Sequence, residues 1–357
     1  MGLKSLVFST NYGYLPEVIG GLQTTIHELC LELKSRGIEP VINCGYASTR
    51  KSVSKTDRSD THNGYLVVRT TNPEVSLASV ASAACADAIC VLTGRVTVPM
   101  IISALESGVP TSVYLHNVEY AQVGGVFVPD PALLYFSNSC FTRRRLRSMF
   151  GVDSTTLIPL VERERYQCSS SREKVLFINP THLKGVEIMF QIAEKLPNIT
   201  FQVAESWVVA NTWREYCQSR AEELGNIEWI SATRDMKLLY GNARLLLMPS
   251  IWEETFGRCV TEAQLNGIPV VGSSRGGLPE AIGDGGMILD ADGEISNWVE
   301  AVDKLFNDQT LYSEKSAAAF AHSMRAEASP EYLVDLFIEK LENHIEQSHT
   351  SQDDIEN

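Results

Sequence analysis

The chain has no excess of positive charge. Thirty Lys and Arg stand against 44 Asp and Glu, a formal net charge of -14. A protein that grips nucleic acid needs positive potential to neutralise phosphates, so nucleic acid is not an expected partner. Paired cysteines are missing too. The eight cysteines, Cys30, Cys44, Cys85, Cys90, Cys140, Cys168, Cys217 and Cys259, include no Cys-x-x-Cys, and most sit in apolar runs, as buried free thiols do. That spacing argues against a zinc site or a disulfide framework and predicts a reducing, cytoplasmic compartment. No long hydrophobic run occurs. The least charged stretch, residues 77–105, is broken by Asp87, Arg95 and Pro99, which predicts no spanning helix. Residues 3–9 read as a strand rather than a secretory leader, which predicts no signal peptide. Short repeats and low-complexity segments are also absent.

What is present is enough chain for two domains. At 357 residues and 44% hydrophobic, the sequence suits two cores of about 150 to 200 residues each. Residues 3–9, 40–44, 65–69, 88–92, 111–115 and 133–136 are short apolar runs. Helical patterns lie between several of them: Leu22, Ile26, Leu29 and Leu33 before Gly37, then 98–106 and 141–149. Alternation of this kind predicts a parallel sheet with crossover helices. A polar stretch, 162–173, reads as an interdomain linker. Afterwards the pattern restarts, with strands at 175–178, 200–204, 227–230, 245–248 and 269–272 and helices at 186–196, 213–224, 236–242 and 259–266. Residues 298–306, 311–324 and 331–345 are helical, and 347–357 is expected to fray. Two doubly wound units place a ligand at the carboxyl ends of their strands.

The most informative segment is residues 249–280, PSIWEETFGRCVTEAQLNGIPVVGSSRGGLPE. It reads as a strand end, an acidic turn, Phe256-Gly257 and a helix, then a short strand and a Gly-rich loop. Gly257 lets backbone approach a ligand closely. The helix start beyond it offers N–H groups to an anion such as a diphosphate. Glu254 and Glu262 stand eight apart; across a mostly helical stretch that is about 12 Å along the axis. Such spacing suits two carboxylates gripping separate parts of one long ligand better than a shared metal. Asp290-Ala291-Asp292 imitates a metal-binding Asp-x-Asp but falls in a loop outside the required strand context, so it reads as a decoy.

The Glu-x7-Glu of Glu254 and Glu262, with GIPVV and GGLPE following in order, resembles the retaining GT-B glycosyltransferases of family 4. The resemblance covers nearly the whole C-terminal half and, more weakly, the N-terminal half. It implies an α/β fold of GT-B type, two Rossmann-like domains facing across a cleft. Residues 1–165 would form an N-terminal acceptor-binding domain, with a C-terminal helix at about 331–347 packing back on it. Residues 172–325 would form the domain binding a nucleotide-sugar donor. The implied enzyme transfers a sugar from a nucleotide diphosphate sugar to a hydroxyl of a glycan, lipid-linked or small-molecule acceptor, with retention. It needs no metal and no cofactor besides the donor as co-substrate.

The same resemblance assigns residues. In VIGGLQTTIHELCLEL, Gly20 and Gly21 open the first helix beside the donor phosphate, whereas His27 reads as packing or surface. His116, in VYLHN at a strand end, corresponds to a histidine contacting the donor sugar. Lys184, in LFINPTHLKGVEIM, corresponds to the lysine on the diphosphate. Asn179-Pro180 stand where the family has Gly-Arg, so one usual cation is missing; Asn179 or Thr181 would donate hydrogen bonds and Arg258 would supply charge. Ile230 falls where the nucleobase is cupped, and Glu262 falls on the ribose hydroxyls. Glu254, with His116 and Lys184, would be catalytic, and Phe256 and Gly257 complete the donor loop. Residues 46–64 read as a loop over the acceptor side. Arg143, Arg144, Arg145 and Arg147 form either a solvated helix face or, as in some family members, a peripheral contact with an anionic membrane. The missing arginine leaves open an inactive sugar-nucleotide-binding partner protein, and an epimerase on the same fold is the other alternative.

Overall fold

A computed structural model describes residues 2–47, 57–127, 129–206 and 209–356. The chain divides into two compact units, Met1–Leu160 with Pro330–Asn357, and Val161–Ser329.

The first unit runs β1 (Ser5–Thr10), α1 (Gly21–Ser35), β2 (Glu39–Cys44), β3 (Arg58–His62), β4 (Tyr65–Arg69), α2 (Pro73–Ala83), β5 (Ala88–Leu92), α3 (Thr97–Glu106), β6 (Thr111–Leu115), α4 (Tyr120–Val123), β7 (Leu133–Ser137), α5 (Cys140–Phe150) and β8 (Thr155–Thr156). Its sheet has the order β3-β4-β2-β1-β5-β6-β7-β8 and is parallel except for β3, which pairs antiparallel with β4. Successive side chains of a strand point to opposite faces, and here both faces are covered. Along β5, Ala88, Cys90 and Leu92 enter one core while Ile89 and Val91 enter the other.

The second unit runs α6 (Arg163–Tyr166), β9 (Lys174–Ile178), α7 (Val186–Lys195), β10 (Phe201–Ala204), α8 (Asn211–Leu224), β11 (Ile227–Ile230), α9 (Met236–Tyr240), β12 (Ala243–Met248), α10 (Arg258–Gln264), β13 (Val270–Ser273), α11 (Leu278–Ile282), β14 (Gly286–Leu289), α12 (Ile295–Asn307) and α13 (Gln309–Ser323). Its sheet, β11-β10-β9-β12-β13-β14, is parallel throughout. Val175 and Phe177 of β9 and Leu245 and Leu247 of β12 pack with Trp298 of α12 in one core.

The chain then returns to the first unit in α14 (Pro330–Glu356). Leu333, Val334, Phe337, Leu341 and Ile345 recur at helical spacing and complete the core beneath β1 and β7. The Phe337 ring lies 6.2 Å from Phe8 and 5.0 Å from Phe136.

Some expectations need correction. Residues 162–173 are not a loose linker. Their polar groups bond inward: Cys168 N–H donates to Asn266 Oδ1 (2.8 Å), Ser170 Oγ to the Ala243 carbonyl (2.9 Å), and the Arg172 guanidinium to the Gly267 carbonyl (3.1 Å) and to that of Asn266. Arg172 thereby ties this stretch to the turn that follows α10. Of the expected loop 46–64, residues 48–56 lie outside the described residues, and 58–62 are strand, not loop. Helix persists through the tail expected to fray, as far as Glu356. Cys85 and Cys140 are exposed rather than buried. Among the described residues no helix is long and apolar enough to cross a membrane.

Because Phe337 fills space between two strands of a core otherwise complete, Phe337→Ala should lower the stability of the first unit by about 3–5 kcal/mol. Urea titration followed by a probe in that unit checks this; a loss within about 0.5 kcal/mol, as for a surface change, would contradict the packing.

Candidate functional site

In the second unit β9 is followed outward by β10 and β11 on one side, whereas β12, β13 and β14 build on the other. The loops leaving β9 and β12 therefore diverge and leave a crevice at the carboxyl ends of the strands. The candidate residues come from those two loops. The first turns at Asn179, whose φ of +74° is uncommon for a residue with a Cβ, and Thr181 N–H donates to the Asn179 carbonyl at 2.7 Å. A 3-10 turn, His182–Lys184, then leads into α7. The second loop is pinned to it: the N–H groups of Ile251 and Trp252 donate to the Leu183 carbonyl at 3.1 and 3.2 Å.

This pinning brings Lys184 to Glu254. Its ammonium donates to Glu254 Oε1, an oxygen that also accepts from Ser250 Oγ at 2.9 Å. The pair is largely withdrawn from solvent, with side chains 15% and 10% exposed. Ser250 is in turn held by Ser273 Oγ, which donates to its carbonyl at 2.7 Å. Gly277 N–H donates to the Glu254 carbonyl at 2.6 Å, so the GGLPE loop supports the acidic turn directly. Asn179 is buried, and Thr181 Oγ1 is buried with no hydrogen-bond partner among the described residues.

Glu254 and Glu262 are not joined by continuous helix, because α10 begins only at Arg258. The 12 Å expected from an all-helical spacing therefore does not apply. At seven residues, α10 also carries little macrodipole, so its anion-binding capacity rests on local N–H groups. Gly257 precedes it with φ +93°, and a Cβ there would come within 2.7 Å of Leu278 Cδ2. The glycine is required by conformation and by packing against α11, not only by approach to a ligand. The Phe256 side chain is core, so any ligand contact at that position is through backbone.

Glu262 is buried, and both of its oxygens are engaged. Arg258 Nε donates to Oε1 at 2.8 Å and Tyr240 Oη to Oε2 at 2.7 Å. Arg258 Nη2 also donates to Tyr166 Oη at 3.0 Å, with the guanidinium 5.4 Å from that ring's centroid. Burial, reinforced by the adjacent Glu262 charge, holds the Tyr240 hydroxyl well above its usual range, so it remains a donor. Arg258 was expected to supply charge to a diphosphate; the structure turns it toward Glu262. Tyr240 and Tyr166 were not singled out in the sequence, since they lie 22 and 92 positions from the Glu262 and Arg258 they bond; Ser250, four residues before Glu254, was not singled out either.

Ile230 ends β11, and its carbonyl accepts from Glu205 N–H at 3.0 Å. Beside it the Glu205 carboxylate takes Arg214 Nε and Nη2 at 2.8 and 3.0 Å and Trp229 Nε1 at 2.9 Å. Burial raises the Glu205 pKa, but these hydrogen bonds outweigh it and leave the group below its ordinary range. A carboxylate one residue past a parallel strand was the available signal for Glu205. Asp290 and Asp292 make a local turn, with Asp292 N–H on Asp290 Oδ1 at 3.1 Å and Asp292 paired with Arg275.

The remaining candidates lie in the first unit. Gly20 caps α1 and Gly21 begins it, following β1. His27 is buried, with Nδ1 2.6 Å from Tyr65 Oη, in a packing role. His116 follows β6, its ring centroid 4.0 Å from that of Tyr114, and its Nε2 is buried with no hydrogen-bond partner among the described residues. Burial lowers its pKa to about 3, so the imidazole is neutral near pH 7. Arg144, Arg145 and Arg147 are exposed on α5, and Arg143 pairs with Asp153.

Residues 162–324 match the family described as Glycosyl transferases group 1. A D-inositol 3-phosphate glycosyltransferase of Mycobacterium sp. (strain KMS) is 32% identical over 150 residues, 39% of this chain and 33% of that protein. That of Corynebacterium jeikeium (strain K411) is 36% identical over 127 residues, 32% of this chain and 30% of that protein. The match thus spans about a third of the length of these relatives. Among solved structures, Anabaena HepE in complex with UDP and glucose is similar with a TM-score of 0.76 at 15% identity, over 95% of this chain and 100% of that one. Sucrose-phosphate synthase from Thermosynechococcus elongatus gives 0.75 at 14%, over 97% and 100%. At these identities the likeness is one of fold, and that fold is GT-B.

Two outcomes are expected from this geometry. Tyr240→Phe removes a hydroxyl donor from a buried carboxylate and should lower stability by about 1.5–3 kcal/mol by chemical denaturation; an unchanged midpoint would show that Glu262 does not rely on it. His116 carries a folded pKa of about 3 against about 6.5 unfolded, so between those values the unfolded chain binds more protons. Its stabilising contribution is complete above about pH 6.5 and declines as pH falls toward 3. The stability difference between the wild type and His116→Gln should therefore vary with pH across that window, and a constant difference would refute the assignment.

Proposed function

We propose that the chain is a retaining family 4 glycosyltransferase that moves a sugar from a nucleoside diphosphate sugar to a hydroxyl acceptor, without a metal. The observation that carries this reading is the arrangement of Glu254 and Glu262, each ion-paired on a loop or helix at the crevice of the second unit, within the segment matching group 1.

In this reading the diphosphate lies against the 179–185 loop. Lys184 contacts it, and Asn179 and Thr181 donate hydrogen bonds; the buried, unpartnered Thr181 Oγ1 supports that role. Glu254 holds the sugar end of the donor and Glu262 the ribose hydroxyls, while Ile230 borders the base. Arg258 acts through Glu262 as a positioning residue, together with Tyr240. Gly20, Gly21 and His116 are the candidates within the first unit, His116 as a neutral hydrogen-bonding imidazole. The acceptor oxygen forms its bond to the anomeric carbon as the bond to the diphosphate oxygen breaks on the same face. The acceptor's proton passes to the departing phosphate. Charge grows on that phosphate, where a fixed ammonium in a poorly hydrated site has its largest effect.

HepE has been solved with UDP and with UDP-glucose, which makes uridine donors the first to test. The curated relatives are named for D-inositol 3-phosphate, so inositol and its monophosphate are the first acceptors to compare. Glycans and lipid-linked acceptors stand beside them, with the arginines of α5 available to an anionic surface.

Lys184→Ala should reduce kcat and kcat/KM together by about a hundredfold to a thousandfold while keeping the fold and much of the donor affinity. Steady-state kinetics with calorimetry checks this, and near-wild-type turnover would assign the diphosphate to another cation. Glu262→Gln should weaken the donor and the free nucleoside diphosphate alike. Transfer should persist in excess chelator; activity lost there and restored by manganese or magnesium would reverse the metal assignment.

A further inference from the structure

The second unit carries an open cavity of about 790 Å³, a size that holds a small organic molecule. It lies at the end of the sheet away from the crevice. Arg172 stands two residues before β9 and Gly267 three before β13, at the amino ends of these strands, whereas Lys184 and Glu254 follow carboxyl ends. The walls are the 167–172 stretch, the turn after α10 and one face of α13, on which Tyr312, Ser316 and Phe320 recur at helical spacing. None of the crevice residues named above lines it.

The backbone acceptors of the turn are already served. The Leu265 carbonyl takes Gln167 Nε2 at 3.4 Å, that of Asn266 takes Arg172 Nη2, and that of Gly267 takes Arg172 Nη1 at 3.1 Å together with Ser316 Oγ. What remains is a surplus of donors. A guanidinium has five N–H groups, and Arg172 uses two of them on these carbonyls. Tyr312 is 6% exposed, and its Oη is buried with no hydrogen-bond partner among the described residues. Leaving such a hydroxyl unmet costs free energy. A second guanidinium, Arg244, lies 3.9 Å from the centroid of the Tyr312 ring and hydrogen-bonds to the Phe306 carbonyl and to Gln309 rather than to a carboxylate. Among the described residues no Asp or Glu lines the cavity, in a chain whose net charge is -14.

A cation would meet Arg172 unfavourably, and an uncharged ligand would leave its charge unmatched. An anion answers both the guanidinium and the phenol. A bare inorganic ion would gain nothing from Leu265 or from Phe320, which is 43% exposed. Tyr312 and Phe320 are eight residues apart on α13, about 12 Å along the axis, so the body that spans them is elongated.

We propose that this cavity binds a small organic anion, whose carboxylate or phosphate accepts from Arg172 and Tyr312 and whose apolar body covers Phe320. The site stands apart from the glycosyl-transfer reading.

Titration calorimetry on the full chain tests it with phenylbutyrate, phenylbutyl phosphate, the neutral phenylbutanol and inorganic phosphate. At least one of the two organic anions should bind about tenfold or more tightly than phenylbutanol and than inorganic phosphate, and the tighter of the two names the head group. Tyr312→Phe should weaken that anion about tenfold and leave the ligand-free melting temperature unchanged, because no protein group relies on the hydroxyl. Phe320→Glu, at an exposed position, should keep the fold and weaken the anion at least as much; either variant suffices if the other fails to fold. Lys184→Ala should leave the binding as it is. Failure of both organic anions to bind overturns the proposal. So does a neutral compound or inorganic phosphate that binds as tightly, or binding that neither wall substitution affects. Binding lost in Lys184→Ala would place the anion in the crevice and overturn it too.

Discussion

The reversal of strand order beside a central parallel strand is the constraint on which the rest depends. A parallel sheet grows outward from its first strand, and when the chain crosses to the other side, two adjacent loops leave in opposite directions. In the second unit those loops follow β9 and β12, and they carry Asn179, Thr181, Lys184 and Glu254. Nothing about the side chains alone would gather them. The crevice does so, and the two N–H groups donated to the Leu183 carbonyl fix the loops to one another.

The charges gathered there are poor choices for stability. Taking a carboxylate and an ammonium or guanidinium out of water costs several kcal/mol, and mutual attraction recovers that only with good geometry and further hydrogen bonds. Each pair has such support: Ser250 for Glu254, and Tyr240 and Tyr166 for Glu262 and Arg258. Well-packed apolar residues would hold the same loops as firmly. Charged groups kept at such expense in a crevice mark a place where charge is used.

The fold was legible because both sheets, β3 apart, are parallel and their central strands are buried on both faces, so strands such as 88–92 and 175–178 read as unbroken apolar runs between helices. Glu254 and Glu262 stood out by their spacing and Lys184 through the family resemblance, and the structure pairs Lys184 with Glu254. What escaped depends on contacts distant in sequence. Tyr240 reaches Glu262 across 22 positions and Tyr166 reaches Arg258 across 92. Residues 162–173 read as a linker because polarity alone does not distinguish groups facing water from groups that bond to neighbouring backbone. The strand at 58–62 is polar, RSDTH, because it lies at the sheet edge, and so it lacked the apolar signal of its neighbours.

The path of the chain has a consequence for the order of synthesis. The second unit is one continuous stretch, Val161–Ser329, whereas the first takes its closing helix from residues 330 onward. A ribosome therefore releases everything the second unit needs before it releases Phe337, which the first unit requires between Phe8 and Phe136. Until then the earlier half of the chain displays an apolar sheet face that only its own last helix fits. The unit begun first is completed after the other, and in that interval its uncovered apolar face is open to aggregation.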